Sequence, residues 1–275
     1  MTLEQKYERL QQLLATFPDV LVAYSGGVDS TFLLKVAVDV LGERALGFIG
    51  RSPSLPTAEF EAALAVARQF QLPVVVIETH ELDDRRYKAN PDNRCYFCKK
   101  ELFGEMMTYA RQHGFRCIAD GTNADDVGDY RPGRQAAAEF QIRSPLLEVG
   151  LHKTEIRELS RRLGLPTWNK PEMACLASRF PTGTEITLEK LRQVEAAEAV
   201  LRELGFRQLR VRHHGDLARI ELDADEIHRL FDPRLRQQVH QQLRQLGYRY
   251  ITLDLQGYRR GSVARVEWKQ ASYED

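Results

Sequence analysis

Residues 20–30 read Val20-Leu21-Val22-Ala23-Tyr24-Ser25-Gly26-Gly27-Val28-Asp29-Ser30. The first five form an apolar run of the length and kind expected of a buried strand. Thr31 to Leu41 then carries Phe32, Leu33, Leu34, Val36, Ala37, Val38 and Val40 on most faces of a helix. The order is therefore strand, glycine-rich loop, helix. That order turns backbone N–H groups and a helix N-terminus toward one spot, which suits phosphate. Gly26 and Gly27 can take conformations closed to other residues and let the backbone approach an anion. Ser25 and Ser30 add hydroxyl donors. Asp29 would repel the anion unless a Mg²⁺ ion lay there too.

The spacing is neither G-x-x-x-x-G-K-[ST] nor G-x-G-x-x-G. It resembles the SGGxDS loop of the N-type ATP pyrophosphatases, which cleave ATP to AMP and pyrophosphate and so adenylate a carboxylate, carbonyl or amide oxygen. That resemblance implies that Ser25, Gly26, Gly27, Asp29 and Ser30 receive ATP, with Mg²⁺ as its counter-ion.

Working outward, Ala45–Gly50 is a second apolar run, Thr57–Phe70 a helix and Pro73–Glu78 a short β-branched run. Arg116–Ala119 and Ile142–Leu147 read as further strand ends, and His152–Leu163 as an amphipathic helix. Buried strands alternating with helices predict an α/β fold, a doubly wound parallel sheet. Ligands then sit beyond the C-terminal strand ends, where the Ser25 loop lies. Residues 80–94 are polar and read as a long loop. Past an irregular segment ending near Gly183, the pattern changes to helix, two alternating strands, a helix broken near Pro233, and a last strand. The spacing thus predicts domains at 1–183 and 184–275, the second a small α+β layer.

Composition narrows the function. Of 275 residues, 39 are basic and 39 acidic, which argues against a nucleic-acid binder. No apolar run is long enough to span a bilayer and the amphipathic N-terminus lacks a signal-peptide core, so the expected location is cytoplasmic. Four cysteines in that setting suggest metal binding or catalysis before disulfides.

Gly121-Thr-Asn123-Ala-Asp125-Asp126 follows a strand and would face the same crevice as the Ser25 loop. Asp125 and Asp126 could bind Mg²⁺ and Asn123 a phosphate or ribose; the alternative is a turn that caps a helix. Ser144–Leu147 followed by Lys153 is similar to a stretch of the ATP pyrophosphatases in which the lysine approaches the phosphates. Cys95 and Cys98 are spaced so that both sulfurs reach one metal. Cys117 sits within a strand and reads as core. Cys175 has no such explanation, which leaves Cys95, Cys98 and Cys175 as candidate ligands. A [4Fe–4S] cluster with one open iron fits them, as does zinc completed by a histidine such as His80. Arg210 and Arg212 share one strand face, with Glu195 and Glu198 on the preceding helix. They read as a salt-bridged face or as a site for an anionic substrate.

Beyond the loop, GTNADD at 121–126, RSPLL at 143–147, ACLASRFPTGTEIT at 174–187 and LRVRHHGDLARIE at 209–221 together resemble the LarE family of ATP-dependent sulfur transferases. The resemblance runs essentially end to end. It implies adenylation of a carboxylate on a pyridinium dicarboxylate mononucleotide and its conversion to a thiocarboxylate for the nickel-pincer cofactor of lactate racemase. Catalytic roles then fall to Cys175, Asp29 and Lys153. Some members sacrifice a cysteine at the position of Cys175 and end with dehydroalanine. Others carry three cysteines, matched by Cys95, Cys98 and Cys175, and hold a [4Fe–4S] cluster that carries the sulfur; this chain is expected to be of that kind. A sulfur donor (sulfide or a carrier) and a homo-oligomer, a hexamer, are implied as well. The rivals are a tRNA thiolation enzyme, an amide-forming enzyme of the NAD- or GMP-synthetase kind, and a non-catalytic iron–sulfur or nucleotide-sensing module.

Overall fold

Val20–Ala23 forms a strand, β1, with every residue buried. Side chains alternate across a strand. Val20 and Val22 therefore enter one apolar core and Leu21 and Ala23 another. Such a strand needs a helix layer on each side. In the computed structural model, which describes residues 1–127, 132–172 and 174–259, it has both.

Two compact units are present. Met1–Asp84 with Asn93–Ala174 forms the first, and Arg85–Asp92 with the described chain from Cys175 forms the second. In the first, β1 joins β2 (Ala45–Arg51), β3 (Val74–Glu78) and β4 (Ile118–Ala119) in a parallel sheet of order β3-β2-β1-β4. Its longer helices are α1 (Leu3–Ala15), α2 (Val28–Leu41), α3 (Thr57–Gln69), α5 (Arg94–His113), α6 (Pro132–Glu139) and α8 (Lys153–Arg162), while the short α4 (Arg85–Lys88) belongs to the second unit. Leu10, Leu14, Phe32, Phe60 and Ile156 bring α1, α2, α3 and α8 onto one face of the sheet. Phe103, Met106 and Ala136 bring α5 and α6 onto the other. This is the doubly wound fold expected. The chain runs outward from β1 to β2 and β3, then returns to β4 on the far side of β1. The reversal opens a crevice beyond the C-terminal ends of β1 and β4.

Two local expectations change. Ile142–Leu147 is not a strand: Arg143 alone bridges to Ala119, and Pro145 then opens α7 (Pro145–Glu148). Proline has no N–H to continue a ladder and suits the first turn of a helix. Residues 85–92 are not an open loop either. The Asn90 carbonyl accepts from Gly183 N–H at 2.9 Å and that of Lys88 from Ile186 N–H at 2.8 Å, so this stretch belongs to the second unit.

The second unit holds α9 (Leu188–Glu203), β5 (Leu209–His214), β6 (Leu217–Leu222), α10 (Pro233–Gln245) and β7 (Tyr250–Leu253). β5 and β6 pair antiparallel and β7 adds parallel to β6. Leu201, Val211, Ile220, Leu243 and Tyr248 fill its core. The helix break falls at Pro233, where Asp232 caps α10 through Leu235 N–H at 2.9 Å. Among the described residues no helix is long and apolar enough to cross a membrane.

Candidate active site

The loop after β1 is held by its own residues and by α3. Ser30 Oγ lies 3.1 Å from Ser25 N and 3.0 Å from Ser25 Oγ. Gly26 has φ +67°, and a Cβ on it would fall 2.4 Å from Ala63 Cβ. Only glycine fits both restraints. Tyr24 donates its hydroxyl to the Ala63 carbonyl at 2.8 Å, and burial pushes its pKa up to about 12. Gly27 is the N-cap of α2 and offers no side chain to its first turn. The first N–H groups of a helix lack intrahelical partners, so α2 presents donors and the positive end of its dipole at the crevice.

Asp29, in that first turn, meets Lys153 Nζ at 2.5 Å through Oδ2. Its other oxygen, Oδ1, is buried without a hydrogen-bond partner. Burial raises the carboxyl above its ordinary range, the Lys153 hydrogen bond opposes this, and Asp126 and Glu172 add repulsion. An orphaned carboxylate oxygen beside helix N–H groups fits a Mg²⁺–phosphate pair, since hard cations take oxygen ligands.

Asp125 has a different local task. Its Oδ2 accepts the Lys153 N–H at 2.7 Å and its Oδ1 lies 2.6 Å from His152 Nδ1. These bonds hold its carboxyl below the ordinary range, the His152 contact most. Asp125 thereby caps α8 at the residue that carries the lysine. Asn123 Oδ1 accepts from Asp125 N–H at 2.9 Å and Asp126 Oδ2 from Asn123 N–H at 3.0 Å. The backbone of 121–126 is thus a capped turn. Gly121 packs so tightly on α2 that a Cβ would lie 3.0 Å from Ser30 N.

Cys95 and Cys98 occupy the first turns of α5. Residues three apart on a helix share a face, so both sulfurs can reach one metal. Cys175 begins the second unit. None of the four cysteines is in a disulfide, and Cys95 is exposed. Among the described residues, no three His, Cys, Asp or Glu side chains stand together to hold a metal ion. Cys117 packs partly buried against the core.

The charged set of the second unit lies inside it. Arg179, wholly buried, forms a two-pronged pair with Glu198 at 2.8 and 3.0 Å. Its Nη1 donates to the Cys175 carbonyl at 2.9 Å. Glu198 also accepts from Arg202 and from Val211 N–H. Arg212 pairs with Glu221 at 2.8 Å and donates to the Ser178 carbonyl at 3.0 Å. Arg210 stacks over Tyr258 at 5.1 Å, and burial lowers its pKa. Glu195 is half-buried on α9. Arg210 and Arg212 do share one face, but that face is covered and, for Arg212 and Glu198, ion-paired.

No family model matches the chain. It is 40% identical to the pyridinium-3,5-bisthiocarboxylic acid mononucleotide synthase of Lactiplantibacillus plantarum, over 95% of this chain and 95% of that protein. The chain belongs to the LarE family. An uncharacterized protein of Synechocystis sp. is 47% identical over 96% of this chain and 98% of its own length. One from Methanocaldococcus jannaschii is 30% identical over 87% and 90%. More distant partial matches are tRNA-specific 2-thiouridylases and GMP synthases, in keeping with an ATP-pyrophosphatase fold.

Several residues of this LarE-family chain take roles that spacing and residue type do not single out. Asp120 accepts from Thr122 N–H at 3.1 Å and Ser144 Oγ at 2.8 Å, fixing the turn after β4. Glu59 and Lys170 meet at 2.7 Å beside the Ser25 loop. Arg179 lies in the ACLASRFPTGTEIT stretch, where its residue type gives no sign of its burial or of its partner Glu198; the fold alone supplies both.

Proposed function

We propose that this protein is an ATP-dependent sulfur transferase that converts a carboxylate of a pyridinium dicarboxylate mononucleotide to a thiocarboxylate, as the name of its L. plantarum relative indicates for that enzyme. The observation that carries the nucleotide half is Asp29, with one oxygen on Lys153 and the other buried and unpartnered. In this reading Ser25, Gly26, Gly27 and Ser30 cradle the β- and γ-phosphates. Asp29 Oδ1 would be the ligand for the Mg²⁺ that accompanies them, and Lys153 is placed to meet the developing charge on the departing pyrophosphate. Asn123 and Asp125 keep the turn after β4 and the start of α8 in place, and Gly121 lets that turn close against the phosphate-facing first turn of α2.

The substrate carboxylate attacks the α-phosphorus and pyrophosphate leaves. A sulfur nucleophile then adds to the acyl carbon and AMP leaves. Glu195 and Arg210 are proposed to serve the anionic substrate from the second unit, with the ion-paired Glu198 and Arg212 holding the helix and strand that carry them. Cys95, Cys98 and Cys175 are proposed to hold a [4Fe–4S] cluster, which when bound would supply a sulfide. The thiol pair on one turn of α5 supports two of those ligands. The buried Arg179 holds the backbone of the third. Sulfide or a carrier is the proposed donor, the cytoplasm the proposed location, and a homo-oligomer, a hexamer, the proposed assembly.

The test is one anaerobic preparation. It should be brown, with iron and labile sulfide. With Mg²⁺-ATP and the dicarboxylate mononucleotide it should yield AMP, pyrophosphate and a thiocarboxylate in the mass spectrum. Colourless, fully active protein with dehydroalanine in place of Cys175 would remove the cluster. Failure to form AMP would remove the nucleotide reading. Thiolation of bulk tRNA would favour the thiouridylase alternative.

A further inference from the structure

We infer that Lys170 is a positioning residue for the Ser25–Ser30 loop, fixing it through Gly26 while Glu59 aims the lysine; this rests on the reading of that loop as a pyrophosphate site. Lys170 Nζ lies 2.7 Å from Glu59 Oε2 on α3 and donates to the Gly26 carbonyl at 3.1 Å. The lysine stem starts from pinned backbone: Arg157 donates to the Trp168 carbonyl at 2.7 Å and to that of Lys170 at 2.9 Å.

A peptide unit is planar and trans, so holding the Gly26 carbonyl sets the direction of the Gly27 N–H. That restraint matters because Gly26 sits at φ +67° and has no side chain to hold it. Glycine also gives up more conformational freedom than any other residue when it is ordered. Two further restraints on this end of the loop come from the same helix. Ala63, one turn beyond Glu59, receives the Tyr24 hydroxyl and blocks any Cβ at Gly26. The clamp therefore closes a ring of Gly26, Lys170, Glu59 and Ala63 around the loop. Lys170 is not a second Lys153. Its charge is matched by Glu59, whereas Lys153 is matched by the Asp29 carboxylate proposed to receive Mg²⁺.

Isothermal titration of the full-length protein with Mg²⁺-pyrophosphate, Mg²⁺-ATP and AMP tests this. A charge-assisted hydrogen bond to a loop carbonyl predicts that Lys170→Met weakens pyrophosphate and ATP about tenfold or more. AMP, which lacks the β- and γ-phosphates, should change less than about twofold. Lys170→Arg should restore most of the loss, since its fork can reach both oxygens. Glu59→Gln should weaken pyrophosphate to a smaller degree. Unchanged pyrophosphate binding in Lys170→Met overturns the inference, as does equal weakening of AMP. Tighter pyrophosphate binding in Glu59→Gln also overturns it, because a freed lysine would then be touching phosphate directly. Should Lys170→Met fail to fold, Glu59→Gln decides alone. Wild-type protein that binds neither pyrophosphate nor ATP overturns the nucleotide reading and the clamp with it.

Discussion

Charges are used in opposite ways in the two units. In the second, Arg179 and Glu198 are wholly inaccessible to solvent and bond one another twice. Arg212 and Glu221 are nearly as deep. Further hydrogen bonds tie them to backbone at Cys175, Ser178 and Val211 and to the side chains of Arg202 and Arg219. In the first unit Asp29 and Lys153 keep a fifth of their surface in solvent, and one Asp29 oxygen is orphaned. Saturated charges make a frame, since removing one partner strands the other in a low dielectric. Unsaturated charges at a helix N-terminus wait for a ligand. Electrostatic content alone, which is high in both places, does not tell frame from site; the completeness of pairing does.

The contrast can be broken most directly at Arg179. Arg179→Met strips the buried Glu198 of its two-pronged partner, leaving it Arg202 and the Val211 N–H, and should cost the protein about 3–5 kcal/mol in urea unfolding. A loss no larger than that of a surface pair would end the view of this network as a frame. Gly26→Ala comes next. It forces a methyl into the buried Ala63 at a backbone conformation that disfavours any side chain. Pyrophosphate release should fall about a hundredfold, the scale set by a misplaced reacting group, and the unfolding midpoint should also drop, by less than for Arg179→Met.

Asp29→Asn sharpens the comparison through pH. Burial raises the Asp29 pKa above 3.8, so the folded state favours the protonated carboxyl. The stability this contributes is present in acid and is lost as pH rises through the raised pKa. The variant should therefore gain on the wild type in thermal melts as pH rises from acid through that raised pKa. Mg²⁺-ATP should narrow the gap by stabilising only the wild type.

His213 gives the opposite slope. Buried against Phe180 and Tyr248, it is pushed from 6.5 to about 4, chiefly by loss of solvation and then by Lys190 and His214. Stability present above 6.5 is lost as pH falls toward 4. His213→Phe should flatten the urea midpoint over that window. Smallest of all, removing the exposed Lys35–Asp39 pair on α2 should cost about 0.3–0.5 kcal/mol.

Local spacing alone was enough for the first βα unit. A buried run, two glycines and an apolar helix allow few other arrangements, and the parallel sheet follows from their alternation. The break at Pro233 was legible for the same reason, since proline acts on its own backbone. What the spacing of residues did not carry was the fate of each charge. Asp125 and Lys153 are 28 residues apart, yet one caps the helix that presents the other. Arg179 meets Glu198 across 19 residues and Lys170 meets Gly26 across 144. The assignment of 85–92 to the second unit likewise rests on hydrogen bonds to Phe180–Ile186. The sequence by itself determined the loop, the sheet and the chemistry that three cysteines and an anion cradle allow. Tertiary structure alone decided which charged residues are frame and which remain open to a ligand. A residue's type sets the bonds it can make, but only the fold brings it a partner and takes away its water.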